Sequence, residues 1–455
     1  MAKAQPTRES GREKMTAAVQ AHIDRAEATA VQTVIVIPRL RAPADADARA
    51  ACQKILREHF ATRPAELLAQ ATRRYGQGKA FEANLRDSRM EAQRTVISAA
   101  PNGHSLWLAD AIAVSGTRAE IEDLSRHEDI EAVDVNPTFT KPEVMRTPLE
   151  DTPQAIDGSA WGVAKIGAPH VWGGYGRGNG VIVGHLDTGV DGNHAALNGR
   201  IAAFREIDAL GGLLPPSAPF DSDEHGTHTA GTICGRSFRG TNLGVAPEAR
   251  LASALVLPGG SGTFAQIIGG MQWAIGEGAQ IISMSLGGFG YTTLWNLPVL
   301  NATIGGVLVC ASIGNSGQGT SGGPGNDLFS LGVGATHYQD APAGFSSGQT
   351  LAVMHTVFGN LVYMKPDISA PGVQVVSSIP GNEVASFNGT SMACPHVAGA
   401  AALLLSSAPA LAGNPLGVRS VLLGTVEDYG DAGRDQRFGF GRLDALSAAQ
   451  QAVAL

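Results

Sequence analysis

Charge is scarce in this chain and aromatic side chains are scarcer: Asp, Glu, Lys and Arg make up 16% of 455 residues, and Phe, Trp and Tyr 5%. With a net charge of −8 as well, nucleic acid is not expected as a partner. Cysteine occurs at only four positions, Cys52, Cys234, Cys310 and Cys394, and never as a CxxC pair. Zinc and dithiol sites are therefore not expected, and free thiols are. No stretch approaches the ~20 uninterrupted apolar residues of a membrane span, so no membrane partner is expected. The opening MAKAQPTRESGREKMTAAVQ has no apolar core of an export signal, and a cytoplasmic location is expected over an exported one. What is abundant is glycine, at 58 residues, and apolar side chains, at 44%. That is the composition of a turn-rich globular chain, long enough for two or three domains.

Residues 1–32 are polar and Ala-rich, a tail or frayed helix. The next segments read as strand (TVIVIPRL, 33–40), helices (44–92), strand (RTVISAA, 94–100), strand (104–116), helix (117–130) and strand (131–139). This order predicts a small α+β, ferredoxin-like unit over 33–139 with a helical insertion. Residues 140–160, broken by prolines, read as a linker. From 161 to 455 the pattern becomes α/β. Apolar runs at 180–190, 249–257, 279–288 and 305–315 alternate with helical segments such as 263–278. Continuous apolar strands of this kind predict a parallel sheet covered on both faces, in three layers, with sites at the carboxyl ends of the strands.

Polar residues fall at those ends. In FNGTSMACPHVAG (387–399), Ser391 stands before an Ala/Leu run, either as a helix cap or as a nucleophile at the positive end of the helix. HLDTGVDGNHAAL (185–197) brings Asp187 and DEHGTHTAGT (223–232) brings His225 and His228. An acid, an imidazole and a hydroxyl can form a triad in which the imidazole takes the serine proton and the carboxylate holds its tautomer. Two other readings lack parts. Asp187-Thr188-Gly189 has no second copy, which aspartic protease chemistry needs. His225 and His228 lack the HExxH frame of a zinc site.

These three segments, in the order Asp, His, Ser, resemble the signature boxes of the subtilisin-like serine proteases, the subtilase family, over about residues 160–447. The resemblance implies a serine endopeptidase working through an acyl-enzyme on peptide or protein substrates. Asp187 would be the orienting acid, His225 the general base and Ser391 the nucleophile. Asn315, in ASIGNSG (311–317), would hold the oxyanion. Gly260, Ser261 and Gly262, with Ser285, Leu286, Gly287 and Gly288, would flank an extended substrate strand. KPDISAPG (365–372) matches a structural box. The N-terminal unit resembles the family's propeptide, which implies self-processing and an intramolecular inhibitor. No cofactor is needed for the chemistry. A structural calcium stays open, but the usual tight site is expected to be absent, because CGRSFRGTN (234–242) and Ala196 replace its oxygen donors. Residues 345–367 are expected to add a hairpin near the site, and 317–329 to line the pocket. Cys394, three residues after Ser391, is expected to make activity sensitive to mercurials. Two competitors remain: a catalytically silent scaffold that binds peptides, and an esterase. The esterase would need a GxSxG elbow and the order Ser, Asp, His.

Overall fold

A computed structural model describes residues 12–27, 29–38, 86–87, 93, 96–97, 102–356 and 359–455. Four antiparallel strands form the N-terminal sheet, in the order His104–Leu106, Ala111–Gly116, Gln32–Pro38, Ile130–Val135. Successive side chains of Gln32–Pro38 point to opposite faces, as a strand requires. Val34 and Val36 pack with Val19, Ile23 and Ile121 from the helices Ala17–Arg25 and Arg118–Ser125. Ile35 and Ala113 join a different core, shared with the larger domain. One face of this sheet is therefore covered by its own helices and the other by the rest of the protein. The helix Ala17–Arg25 lies in the stretch expected as a tail or frayed helix; buried Val19 and Ile23 make it part of the small core. Val96 and Ile97, the described residues of the expected strand 94–100, are helical. The expected helices of 44–92 and Cys52 lie almost wholly outside the described residues.

The larger domain is built on seven parallel strands. Their order is Ile368–Pro371, Leu331–Thr336, Leu308–Ser312, Ile281–Met284, Ile182–Asp187, Arg250–Leu255, Ile201–Glu206. Alternate residues feed two cores. Val183, Leu251, Ile281 and Leu308 face the helices Thr390–Ser407 and Ala445–Val453. Leu186, Ala252, Ile282 and Val309 face the helices Phe264–Gly276 and Asn296–Ile304. This is the three-layer arrangement expected from the apolar runs. Ile182–Asp187 lies centrally in the sheet, so residues at its carboxyl end meet elements from both sides.

The box at 365–372 holds a buried charge cluster. Asp367 accepts from Lys365 Nζ at 2.7 Å, Arg419 Nη2 at 2.7 Å and Arg434 Nη2 at 2.8 Å. Burial opposes the charge of Asp367, but Arg419, Lys365 and Arg434 hold its carboxyl below the usual range. Burial pulls the Lys365 ammonium down to about 8. Removing one partner of a buried ion pair strands the other charges, at a cost of about 3–5 kcal/mol. Asp367→Asn is expected to lose stability of that order, read as a lowered urea midpoint. An unchanged midpoint would show that the cluster adds nothing to the fold.

Candidate active site

Asp187 ends the strand Ile182–Asp187, and His225 opens the helix His225–Cys234. His225 Nδ1 lies 2.7 Å from Asp187 Oδ1, with both side chains at most 1% exposed. The helix start is fixed by short bonds. Asp221 accepts from Thr227 N and Oγ1, both at 2.6 Å, and Asp223 from Glu224 N and His225 N. Carboxylates satisfy otherwise unpaired N–H groups there and suit the positive end of the helix. Gly226 allows the close approach, because any side chain on it would run into the carbonyl of Gly189. Burial opposes ionisation of Asp187, yet His225 and the Thr188 N–H, at 2.8 Å, keep its carboxyl below the usual range. Its other oxygen accepts from Thr229 Oγ1 at 3.0 Å. His228 points elsewhere. Its Nε2 donates to the carbonyls of Val375 and Ala385, and its ring stacks on Phe387.

Ser391 lies inside the first turn of Thr390–Ser407, and Gly389 holds the cap position, so the cap reading of Ser391 is excluded. Pro395 has no N–H to give to the carbonyl four residues earlier. That carbonyl, of Ser391, accepts instead from Ser285 Oγ at 2.7 Å. The Ser391 hydroxyl in turn lies 3.4 Å from the carbonyl of Ser285. His225 Nε2 is buried with no hydrogen-bond partner among the described residues. Asp187 and His225 are thus joined, and the Ser391–His225 bond is not made. Asn315 Oδ1 accepts from Thr390 N at 2.9 Å and Thr390 Oγ1 at 2.8 Å, which aims its amide nitrogen outward.

A strand already occupies the cleft. Thr138–Thr140 pairs antiparallel with Ser261–Thr263. On its other side Thr140 exchanges backbone hydrogen bonds with Gly287, and Lys141 N donates to Gly260 O at 2.9 Å. Pro142 has no N–H and ends the pairing. Asn315 Nδ2 then reaches the carbonyl of Glu143 at 3.4 Å. Val144 packs beside Gly389, and Met145–Thr147 pairs with Ser386–Asn388. Residues 138–147 were expected as a strand end and a linker; backbone pairing on both sides of Glu143 lays them along the larger domain's surface. Lys141 Nζ reaches Asp223 at 2.9 Å, and Arg146 pairs with Glu224. Phe139 is buried against Gly288 and meets the Trp295 ring edge-on, with centroids 5.0 Å apart.

Beside Glu143 a cleft of ≈ 540 Å³ is lined by Leu286, Gly288, Asn315, Ser321 and Gly322, among others. The segment 317–329 does line it, through Ser321 and Gly322. The inserted hairpin, Gln349–His355 with Gly359–Lys365, touches this wall through Gln349 Nε2, 2.6 Å from Ser321 Oγ. Cys234, Cys310 and Cys394 are free and buried. Cys394 is fully enclosed and its thiol is pushed up to about 12 by burial, so the expected mercurial sensitivity has no reachable thiolate behind it. The sequence reading passed over His185 and Thr229, which join Asp187 from behind. The available signal was a histidine inside an otherwise apolar strand.

Comparison with known proteins agrees with this geometry. A model described as the subtilase family matches residues 178–441. The chain is 36% identical over 327 residues to alkaline elastase YaB of Bacillus sp. (strain YaB), covering 70% of this chain and 77% of that protein. It is 38% identical over 280 residues to subtilisin DY of Bacillus licheniformis, covering 60% and 92% respectively. It is 35% identical over 325 residues to M-protease of Shouchella clausii (strain KSM-K16), covering 70% and 77%. A silent scaffold and an esterase have no support among these matches. With a buried Asp–His pair, a serine in the first turn of a helix and a peptide strand laid across the cleft, the chain belongs to the subtilase family and is a subtilisin-like serine endopeptidase acting on peptide or protein substrates.

Proposed function

We propose that Ser391, His225 and Asp187 are nucleophile, general base and orienting acid, and that the first bond they cut is Glu143–Val144 of the same chain. The observation that carries this is the hydrogen bond from Asn315 Nδ2 to the Glu143 carbonyl, in a strand paired on both sides of that residue. The Ser391 hydroxyl swings from Ser285 O to the vacant His225 Nε2 and attacks the Glu143 carbonyl carbon. His225 takes the proton. Asp187 stabilises the imidazolium and is not itself protonated. Asn315 and the Ser391 N–H hold the oxyanion, and one such donor is worth ~3–4 kcal/mol in the transition state. His225 then protonates the Val144 nitrogen, and Glu143 remains as the acyl group until water, activated by His225, releases it. Gly260–Gly262 and Ser285–Gly288 bind other substrates as they bind residues 138–141, by strand addition. On this reading the N-terminal unit runs to Glu143 and stays bound as an inhibitor. It keeps the strand 138–141 and the docking bonds of Leu108, whose N–H meets Gln272 and whose carbonyl meets Asn301.

We also propose that the loop 234–242 holds no calcium. Ser237–Phe238 pairs with Thr241–Asn242, and Arg239 stacks on Phe238 and faces Glu383 at 3.3 Å. A guanidinium there opposes a cation, which needs carboxylate and carbonyl oxygens. A chelator is expected to leave the melting temperature of the purified protein unchanged, and a drop that calcium reverses and that substitutions within 234–242 abolish would refute the assignment.

Ser391→Ala and His225→Ala are each expected to lower kcat by about five to six orders of magnitude, with the double variant hardly worse, because the groups act as a unit. His228→Ala is expected to lose far less per folded molecule. The opposite order of the two histidines would overturn the assignment.

Self-cleavage is read by intact mass. The parent is expected as two fragments divided after Glu143, and Ser391→Ala as one chain. An active parent that stays whole would refute self-processing, and a junction elsewhere in 140–160 would refute the role given to Glu143.

A further inference from the structure

The strand Ile182–Asp187 carries one polar side chain besides Asp187. His185 stands two residues earlier on the same face, fully buried, in register with Ser253 on one neighbouring strand and Ser283 on the other. Its Nδ1 lies 2.9 Å from Ser253 Oγ and its Nε2 2.8 Å from Thr229 Oγ1. Thr229 is four residues after His225, so both project from one side of their helix toward the sheet.

Proton counting fixes the direction of these bonds. Thr229 Oγ1 has one proton and three neighbours: Asp187 Oδ2 at 3.0 Å, the Gly226 carbonyl at 3.1 Å and His185 Nε2 at 2.8 Å. The carboxylate and the carbonyl can only accept. Were Nε2 an acceptor as well, three acceptors would share one proton. With the proton on Nε2, His185 donates to Thr229, and Ser253 donates to Nδ1. Thr229 then gives its proton to the ionised oxygen of Asp187, the stronger acceptor. Ser253, His185, Thr229 and Asp187 form one directed chain, and its last member also accepts from His225 Nδ1 at 2.7 Å.

We propose that His185 is a positioning residue: as the neutral Nε2–H tautomer it pins the Thr229 hydroxyl on Asp187 Oδ2, which leaves Oδ1 aimed at His225. This inference rests on the triad reading given under Proposed function. Burial holds His185 down to about 4. Of the charged groups facing it, Asp187 favours its cation and His225, once protonated, opposes it. The chain therefore stays neutral while His225 takes the serine proton, and no second imidazole competes for that proton. Each hydroxyl in the chain also points its positive end toward the Asp187–His225 pair. Removing that dipole makes the imidazolium of His225 more favourable, so the acid limb of the rate profile moves to higher pH.

The test uses the mature enzyme with active sites counted by a fluorophosphonate, so that misfolded molecules drop out. Values of kcat and KM on a neutral peptide substrate are measured across pH for His185→Leu, Thr229→Val, their double variant, and the rescues His185→Gln and Thr229→Ser. Per active site, His185→Leu and Thr229→Val are each expected to lower kcat about tenfold, with KM within about twofold and the acid limb raised. The double variant is expected to be no worse than either alone. The two rescues, which keep a donor at each position, should come back to within about threefold of the parent. An unchanged kcat per active site with an unmoved acid limb would overturn the proposal, as would losses that multiply in the double variant. If His185→Leu does not fold, the Thr229→Val and Thr229→Ser pair decides. A Ser391→Ala variant that stayed active would instead overturn the triad reading, so the two failures are distinct.

Discussion

A carboxylate sealed from water governs much of this molecule. Asp187 is ionised and buried, a state that persists only where hydrogen-bond donors replace water. The donors come from separate parts of the chain: Thr188 N–H, Thr229 Oγ1 and His225 Nδ1. Each must be brought to one point. The sheet order does this by setting the strand of Asp187 beside Arg250–Leu255, which puts the helix His225–Cys234 against its end. Close approach there leaves no room for a side chain at Gly226, and it recruits Asp221 and Asp223 to close the helix start.

One of those acidic residues, Asp223, reaches outward to the linker. Asp223 accepts from two backbone N–H groups and from Lys141 Nζ. Burial works against its charge, but Lys141 and the backbone donors hold its carboxyl below the usual range. One carboxylate therefore closes the histidine helix and clasps the strand that fills the cleft. The second attachment is apolar. The N-terminal sheet turns Ile35 and Ala113 toward the helices Phe264–Gly276 and Asn296–Ile304, and Trp107 and Leu108 complete the contact. Period-two alternation in Gln32–Pro38 thus serves two cores at once.

The scaffold was readable in the sequence because it rests on local pattern, and so were the residues proposed for the chemistry. Four apolar runs ending in polar residues announced parallel strands, and Asp187, His225, Asn315 and Ser391 each stand in a short, distinctive box. What stayed hidden depends on distant partners. Nothing local to EVMRT shows that Met145–Thr147 pairs with Ser386–Asn388, since the partner lies more than two hundred residues away. Nor do the linker's prolines and charges show that Lys141 and Arg146 meet Asp223 and Glu224. The helix Ala17–Arg25 was obscured by its polar outer face, with only Val19 and Ile23 buried. His185 was overlooked for a similar reason: a lone histidine gains meaning only when Ser253 and Thr229 are seen on either side of it.

The position of the linker also bears on how such an enzyme is switched on. The contacts that dock the N-terminal unit, including the pairing of Thr138–Thr140, the bond of Lys141 to Gly260 and the burial of Phe139, lie before Glu143. Only Met145–Thr147 lies after it, and that segment stays joined to the larger domain. Breaking the chain at Glu143 therefore removes none of the docking contacts. It removes only the tether, whose effect is to keep the N-terminal unit at a high local concentration. The freed carboxylate of Glu143 would remain beside Asn315, and the cleft would stay filled. On the proposed self-processing, activation then has to come from loss of the N-terminal unit itself. Once that happens, the strand 138–141 has no domain to hold it, and other extended peptides can take its place.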